Sequence, residues 1–449
     1  MKLFCSLLAV APLVVGTAVS VRAQTTATPA PDLSGAGASA STDHSAHDGQ
    51  DMSALGHDMS HGMAMKGALG PYAMAREASG TSWQPDTSAH GGLQSMNGDW
   101  TLMGHALLNS VYDWQEGPRG GKKAFVSGMI MGMAQRSLAS GDTVQFRAMV
   151  SPDPFMGKPG LPLLLASGES ADGVTPLIDR QHPHDLIMEI SASYSHRLSD
   201  TQSLFVYAGL PGEPAFGPPA FMHRQSTNDS PEPPISHHWL DSTHITFGVV
   251  TAGYVHDAWK VEASRFHGRE SDENRYDIET GALDSTAARL SWNPAAAWSL
   301  QASWAHVKSP EALEPADNQT RWSLSAIYTR PLATGSWSTT AAWGRRTSDH
   351  ESLDAYILES AINFQGVWTV FARAERHENN ELLSMNGHHG PTHIVAKASA
   401  GAIHDWPIAG RAKLGLGALY SFNFLPAALK APYGQSPNGA MIFARLKID

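Results

Sequence analysis

Residues 320–330 read TRWSLSAIYTR. In an extended chain Trp322, Leu324, Ala326 and Tyr328 fall on one side, and Arg321, Ser323, Ser325 and Thr329 on the other. A period of two belongs to a strand with one apolar and one polar face. Ten or so residues of it are enough to cross a bilayer as one tilted barrel strand.

The same pattern recurs on both sides of this stretch. Residues 298–306 set Trp298, Leu300, Ala302 and Trp304 against Ser299, Gln301 and Ser303, and the final segment sets Ile442, Ala444, Leu446 and Ile448 against Arg445 and Lys447. In 368–377 the polar face holds Thr369, Arg373, Glu375 and His377. Sixteen such segments are expected, near 98–113, 123–136, 142–151, 185–197, 202–210, 243–255, 259–267, 283–293, 297–307, 320–330, 336–346, 354–364, 367–377, 393–405, 410–421 and 439–448. The connections alternate between short and long. Short ones lie near 137–141, 198–201, 256–258, 294–296, 331–335, 365–366 and 406–409; the long ones include 152–184, 211–242 and 378–392. That alternation predicts an all-β, transmembrane antiparallel barrel of about sixteen strands, with short periplasmic turns and long outer loops. Trp259, Trp298, Trp337, Trp368 and Trp406 each sit beside a short turn, where an indole ring finds the headgroup layer of the outer-membrane lipid.

Composition agrees. Charged residues make up only 16 % of the chain, and 13 Trp and 41 Gly accompany them. A soluble domain usually carries about 25 %. Beyond the first residues there is no apolar run of membrane-helix length. Residues 1–23 read as a signal peptide, with Lys2 as n-region, an apolar stretch, and Val21-Arg22-Ala23 as the cleavage site. Cleavage removes Cys5, the single cysteine, and with it disulfide and thiolate chemistry. It also removes two of 31 basic residues and leaves 42 acidic ones, a balance against nucleic acid as a partner. Residues 24–95 are poor in branched aliphatics and are expected to be a disordered periplasmic segment, with the barrel at 96–449.

Within that segment His44, His47, His57 and His61 alternate with Met52, Met59, Met63 and Met65. Thioethers select Cu(I) or Ag(I), and imidazoles also take Cu(II), Zn(II) or Ni(II). Copper or silver binding by this tract is therefore one reading; a solvated linker with incidental His is the other. A His/Met-rich N-terminal tract followed by an outer-membrane barrel resembles the copper resistance protein B family of Gram-negative bacteria. The resemblance rests on the signal, the tract at 43–65 and the architecture, and it implies copper handling.

The long outer loops gather further candidates. Loop 152–184 ends in His182, Pro183, His184 and Asp185, loop 211–242 carries Met222, His223, His237 and His238, and loop 378–392 carries His388 and His389. These side chains can converge on a metal or line a wet vestibule. Loops of 32 or 33 residues rich in Pro and Gly are usually functional, and one folding inward narrows a pore. Three functions follow: passage or sequestration of soft metal ions, a general or solute-selective porin, monomeric or trimeric, and an outer-membrane hydrolase built on pairs such as His184-Asp185, His256-Asp257 or His404-Asp405. No G-x-S-x-G, H-E-x-x-H or Walker pattern is present, so enzymatic activity is not expected.

Overall fold

The computed structural model describes residues 65–89, 91–349, 351–383 and 389–448. The signal peptide and the tract residues His44, His47, Met52, His57, Met59, His61 and Met63, as well as His388, lie outside these residues.

The described strands are β1 (Leu93–Asn97), β2 (Trp100–Gln115), β3 (Gly121–Ser137), β4 (Thr143–Val150), β5 (Leu161–Ser170), β6 (Pro176–Gln181), β7 (Ile187–Arg197), β8 (Gln202–Gly209), β9 (Val249–His256), β10 (Trp259–Phe266), β11 (Ser285–Ala295), β12 (Trp298–Val307), β13 (Gln319–Leu332), β14 (Gly335–Thr347), β15 (Ser352–Phe364), β16 (Trp368–Asn379), β17 (His393–Ala409), β18 (Ala412–Phe424) and β19 (Asn438–Ile448). Sixteen of them, β2 to β4 and β7 to β19, form a closed antiparallel wall. Closure is made by β19 on β2, from Gly439 opposite Gln115 to Ile448 opposite Ala106. Every backbone donor and acceptor of a spanning segment needs a partner inside the protein, and only a closed ladder supplies one for strands.

The period of two does what the sequence requires of it. In β13 the odd-numbered residues Arg321, Ser323, Ser325 and Ile327 point inward and are buried, while Trp322 and Leu324 face outward with about half their surface exposed. Beside the short turns, Trp259 stacks on Trp292 at 4.7 Å, Trp298 packs on Tyr328, which also meets Trp337, and Trp368 and Trp406 flank His404. This is the expected aromatic girdle.

Two features depart from the sequence reading. Residues 65–89, expected to be disordered, are lodged inside the wall. They hold little aliphatic surface, but Leu69, Tyr72, Met74 and Trp83 are buried, and the wall satisfies the backbone. Ser203 donates to the carbonyl of Leu69, Gln135 to Lys66, Arg147 to Gly80, Asn293 to Gln84, and Lys260 to Thr81. The polar inner face of the barrel thus replaces the core that the segment cannot build alone. The second departure is at 243–248, expected to begin a wall strand. It turns inward instead, and the wall resumes only at Val249.

The loop between β4 and β7 carries the β5–β6 hairpin and also folds inward. Leu163, Leu164 and Leu165 are at most 1 % exposed and join a cluster with the wall residues Val111, Phe125, Phe371 and Phe443. Each such leucine contributes roughly 1.5–3 kcal/mol by leaving water.

Candidate functional site

The loop between β8 and β9 runs around the inside of the wall and is tied to it along its length. Ser264 accepts from the Ala215 N–H and Ser303 from the Gly217 N–H. Further on, Arg224 pairs with Glu359, Asp229 with Arg445, and Glu232 with Lys397. Glu375 accepts from the Ile235 N–H, and the Trp239 indole donates to the Leu353 carbonyl. Charges on the inward faces of the wall are paired as well: Lys260 with Glu262, Arg373 with Glu359, Arg321 with Glu270, and Arg445 with Asp405 as well as Asp229.

Where the two inward loops meet, five imidazoles form an edge-to-face chain. Ring centroids lie 5.5 Å apart for His182–His238, 5.6 Å for His238–His237, 5.2 Å for His237–His244 and 5.1 Å for His244–His184. Phe221 packs against His184, His237 and His244. Each of the five rings has a carboxylate or carbonyl behind one nitrogen. His184 Nδ1 is 2.8 Å from Asp153, His237 Nδ1 2.8 Å from Asp241, and His244 Nδ1 2.7 Å from the Asp241 carbonyl. His182 faces Glu169 at 3.1 Å and His238 faces Glu270 at 3.5 Å. Such partners fix ring orientation and tautomer, as they do around metal-binding histidines.

Burial pushes the His182 and His244 pKa values well down and lowers that of His237 despite Asp241. Burial also acts downward on His238, but Glu270 and Glu169 outweigh it and raise the value. Three of the rings are therefore neutral at physiological pH, the form that accepts a proton or ligates a metal.

The candidates grouped by sequence are regrouped by the fold. His182 and His184 diverge around Pro183, the first to Glu169 and His238, the second to Asp153 and His244. Asp185 does not join them; it pairs with Arg275. His237 and His238 do stay together. His389 lies elsewhere, 2.8 Å from Glu314. The imidazole chain lines up rather than converging on a point. Among the described residues, sets of three acidic or imidazole ligand atoms within 4.8 Å of one another are Glu311–Glu381–His389 and Asp272–Asp277–Glu279. Met65 packs against Met74, Met103 and Met133. Of the pairs considered for hydrolysis, His256 and Asp257 are exposed at 3.7 Å, and His404 lies between two Trp rings while Asp405 holds Arg445.

Sequence reasoning missed His244, Asp153, Glu169 and Glu270. His244 was hidden because Thr243–Phe247 alternates like a strand. The carboxylates come from three different loop stretches, and only the inward folding brings them together.

No protein-family model and no curated protein matches this chain. Solved structures do. OmpF of Salmonella typhi in complex with daunomycin superposes with a TM-score of 0.50 at 11 % identity, over 79 % of this chain and all of that one. OprB of Pseudomonas putida gives 0.48 at 8 % identity over 78 % and 94 %, and the outer membrane channel DcaP of Acinetobacter baumannii gives 0.46 at 9 % over 80 % and 100 %. At these identities the likeness is one of fold.

Proposed function

We propose that this chain is a solute-selective channel of the outer membrane, narrowed from within by two loops and by residues 65–89. A closed sixteen-strand wall with an aromatic belt suits that membrane, and the OmpF-like fold supports the porin class. The observation that carries the selective reading is the loop between β8 and β9. It crosses from β10 to β19 along the inner wall through buried ion pairs, where a general pore keeps a wet lumen. Single-channel conductance in planar bilayers tests it. A small conductance that rises several-fold when residues 213–244 are replaced by a short linker is the expected result. A wild-type conductance as large as that of an open sixteen-strand pore would sink the reading.

A second reading is passage or capture of soft metal ions, copper above all. It is favoured by the imidazole chain where the two inward loops meet and by the His/Met tract that precedes residue 65. Titration of a peptide covering residues 40–66 with Cu(I) tests the tract. No binding tighter than millimolar removes it from the reading.

A further inference from the structure

We infer that the lumen contains a soft-cation site of thioether and imidazole ligands, on the inner face of β2 to β4, for Cu(I) or Ag(I). This deepens the soft-metal reading but uses neither the imidazole chain nor the tract residues before Met65, the tract member that packs against Met74, Met103 and Met133.

The register of the wall places the ligands. β3 turns Met129, Met131 and Met133 to the lumen, every second residue. On one side Met133 lies opposite Met103 and Met131 opposite His105. On the other, Met131 lies opposite Met149. Directly opposed residues of an antiparallel pair hold their Cβ atoms about 4.5–5.5 Å apart, so these sulfurs and the imidazole share one patch. The segment 65–89 and the β8–β9 loop close over the patch, bringing Met74 from one and Met222 and His223 from the other. The His105 and His223 rings are 6.4 Å apart. His223 Nε2 is buried and has no hydrogen-bond partner among the described residues.

Flexible thioethers normally fill irregular gaps in a core. Here they pack on one another, as Met74 does with Met103 and Met133, and Met133 Sδ accepts from Gln145 Nε2 at 2.7 Å, but a cavity of about 180 Å³ remains beside them. Its charged neighbours are Glu77, Arg147, which is held 2.8 Å from Glu189, and Lys447 at the rim. Neutral sulfur and imidazole donors suit a soft monovalent cation, and Glu189 and Glu77 offset the Arg147 guanidinium beside them. Sulfur and imidazole offer little to Ca(II) or Mg(II), which take oxygen.

The test uses the full chain in detergent with silver nitrate in chloride-free buffer, which avoids copper redox chemistry. Two variants are compared by calorimetric titration: Met131→Leu/Met133→Leu/Met222→Leu in the cavity, and Met52→Leu/Met59→Leu/Met63→Leu in the tract. The cavity variant is expected to lose one equivalent of Ag(I), or at least tenfold in its affinity, while the tract variant keeps it. Equal titration of the cavity variant and the wild type overturns the inference. Loss in the tract variant alone overturns it too, while leaving the tract reading standing. Heat-modifiable gel mobility reports whether the leucines are tolerated. Independently of any variant, Ag(I) is expected to slow peroxide oxidation of Met131, Met133 and Met222 in the wild type about tenfold relative to exposed Met96. Unchanged oxidation of these three overturns the inference.

Discussion

Arg224 in the β8–β9 loop grips Glu359 on β15 with both arms of its guanidinium, Nε at 2.8 Å and Nη2 at 3.0 Å from the two carboxylate oxygens. Its remaining nitrogen, Nη1, reaches Asp241, which in turn orients His237. One residue thus links the loop, the wall and the imidazole chain.

Removing one partner of such a buried pair leaves an uncompensated charge, at a cost of about 3–5 kcal/mol. Arg224→Ala is therefore expected to release the loop rather than unfold the barrel, since the wall keeps its own ladder. Single-channel recordings should show larger and noisier conductance, with unchanged heat-modifiable mobility. An Arg224→Ala channel with wild-type conductance would mean the loop is held by its other ties. The double variant Arg224→Met/Glu359→Leu should not restore the lost stability, because it also strips the buried Arg373 and Asp241 of a partner.

Asp179 gives the inward hairpin a pH dependence. Burial pushes its carboxyl up to about 6, against the pull of Arg119 at 2.6 Å, the Leu165 N–H and the Tyr433 hydroxyl. A raised carboxyl means the folded hairpin binds the proton more tightly than the free chain does. The contribution is therefore fully present below about pH 4 and is lost as pH rises through 6. Its size is at most about 3 kcal/mol. Amide exchange in 161–181 should quicken from pH 4 to pH 7 beyond the intrinsic rate change. Asp179→Asn, which keeps the acceptor for Leu165, should flatten that excess; an excess that persists in the variant rules the group out.

Trp83 is the anchor of residues 65–89. It meets the Tyr72 ring edge-on at 5.1 Å, lies under the Arg76 guanidinium at 4.8 Å and under Lys260 at 5.1 Å. Trp83→Ala should cost the docked segment roughly 3–5 kcal/mol. Limited proteolysis of the variant in detergent is expected to clip within 65–89, leaving a protected barrel. A segment as resistant as the wild type would show that the wall's hydrogen bonds suffice.

At the girdle, Trp259 and Trp292 stack with planes 6° apart. Trp259→Ser removes the stack, worth about 0.5–1.5 kcal/mol beyond burial, and an interfacial anchor. The urea midpoint should fall in lipid bilayers and change less in detergent. Equal shifts in both media would place the effect in packing rather than in the interface.

How much of this was legible beforehand follows from what each signal depends on. The wall was readable because alternation is local: Trp322, Leu324 and Arg321 declare their faces without help from any distant residue. The interior was not. His244 pairs with His184 across sixty residues, and Glu169 reaches His182 only after a hairpin folds back. Tyr72 and Trp83 carry no local signal in a polar stretch, because the surface that buries them belongs to the barrel. Local periodicity cannot encode which loop enters a lumen. That depends on whether the wall offers complementary charge, as Glu359, Lys397 and Arg445 do.

β1 has a consequence of its own. The last strand covers its neighbour only as far as Ala106, and β1 takes over beside it, pairing Leu93 to Gly104 through Asn97 to Trp100. An uncovered margin of that length would be a template for another chain's strand. The lead-in thus works as a hem: the margin of the first strand is covered by the piece of chain that arrives just before it.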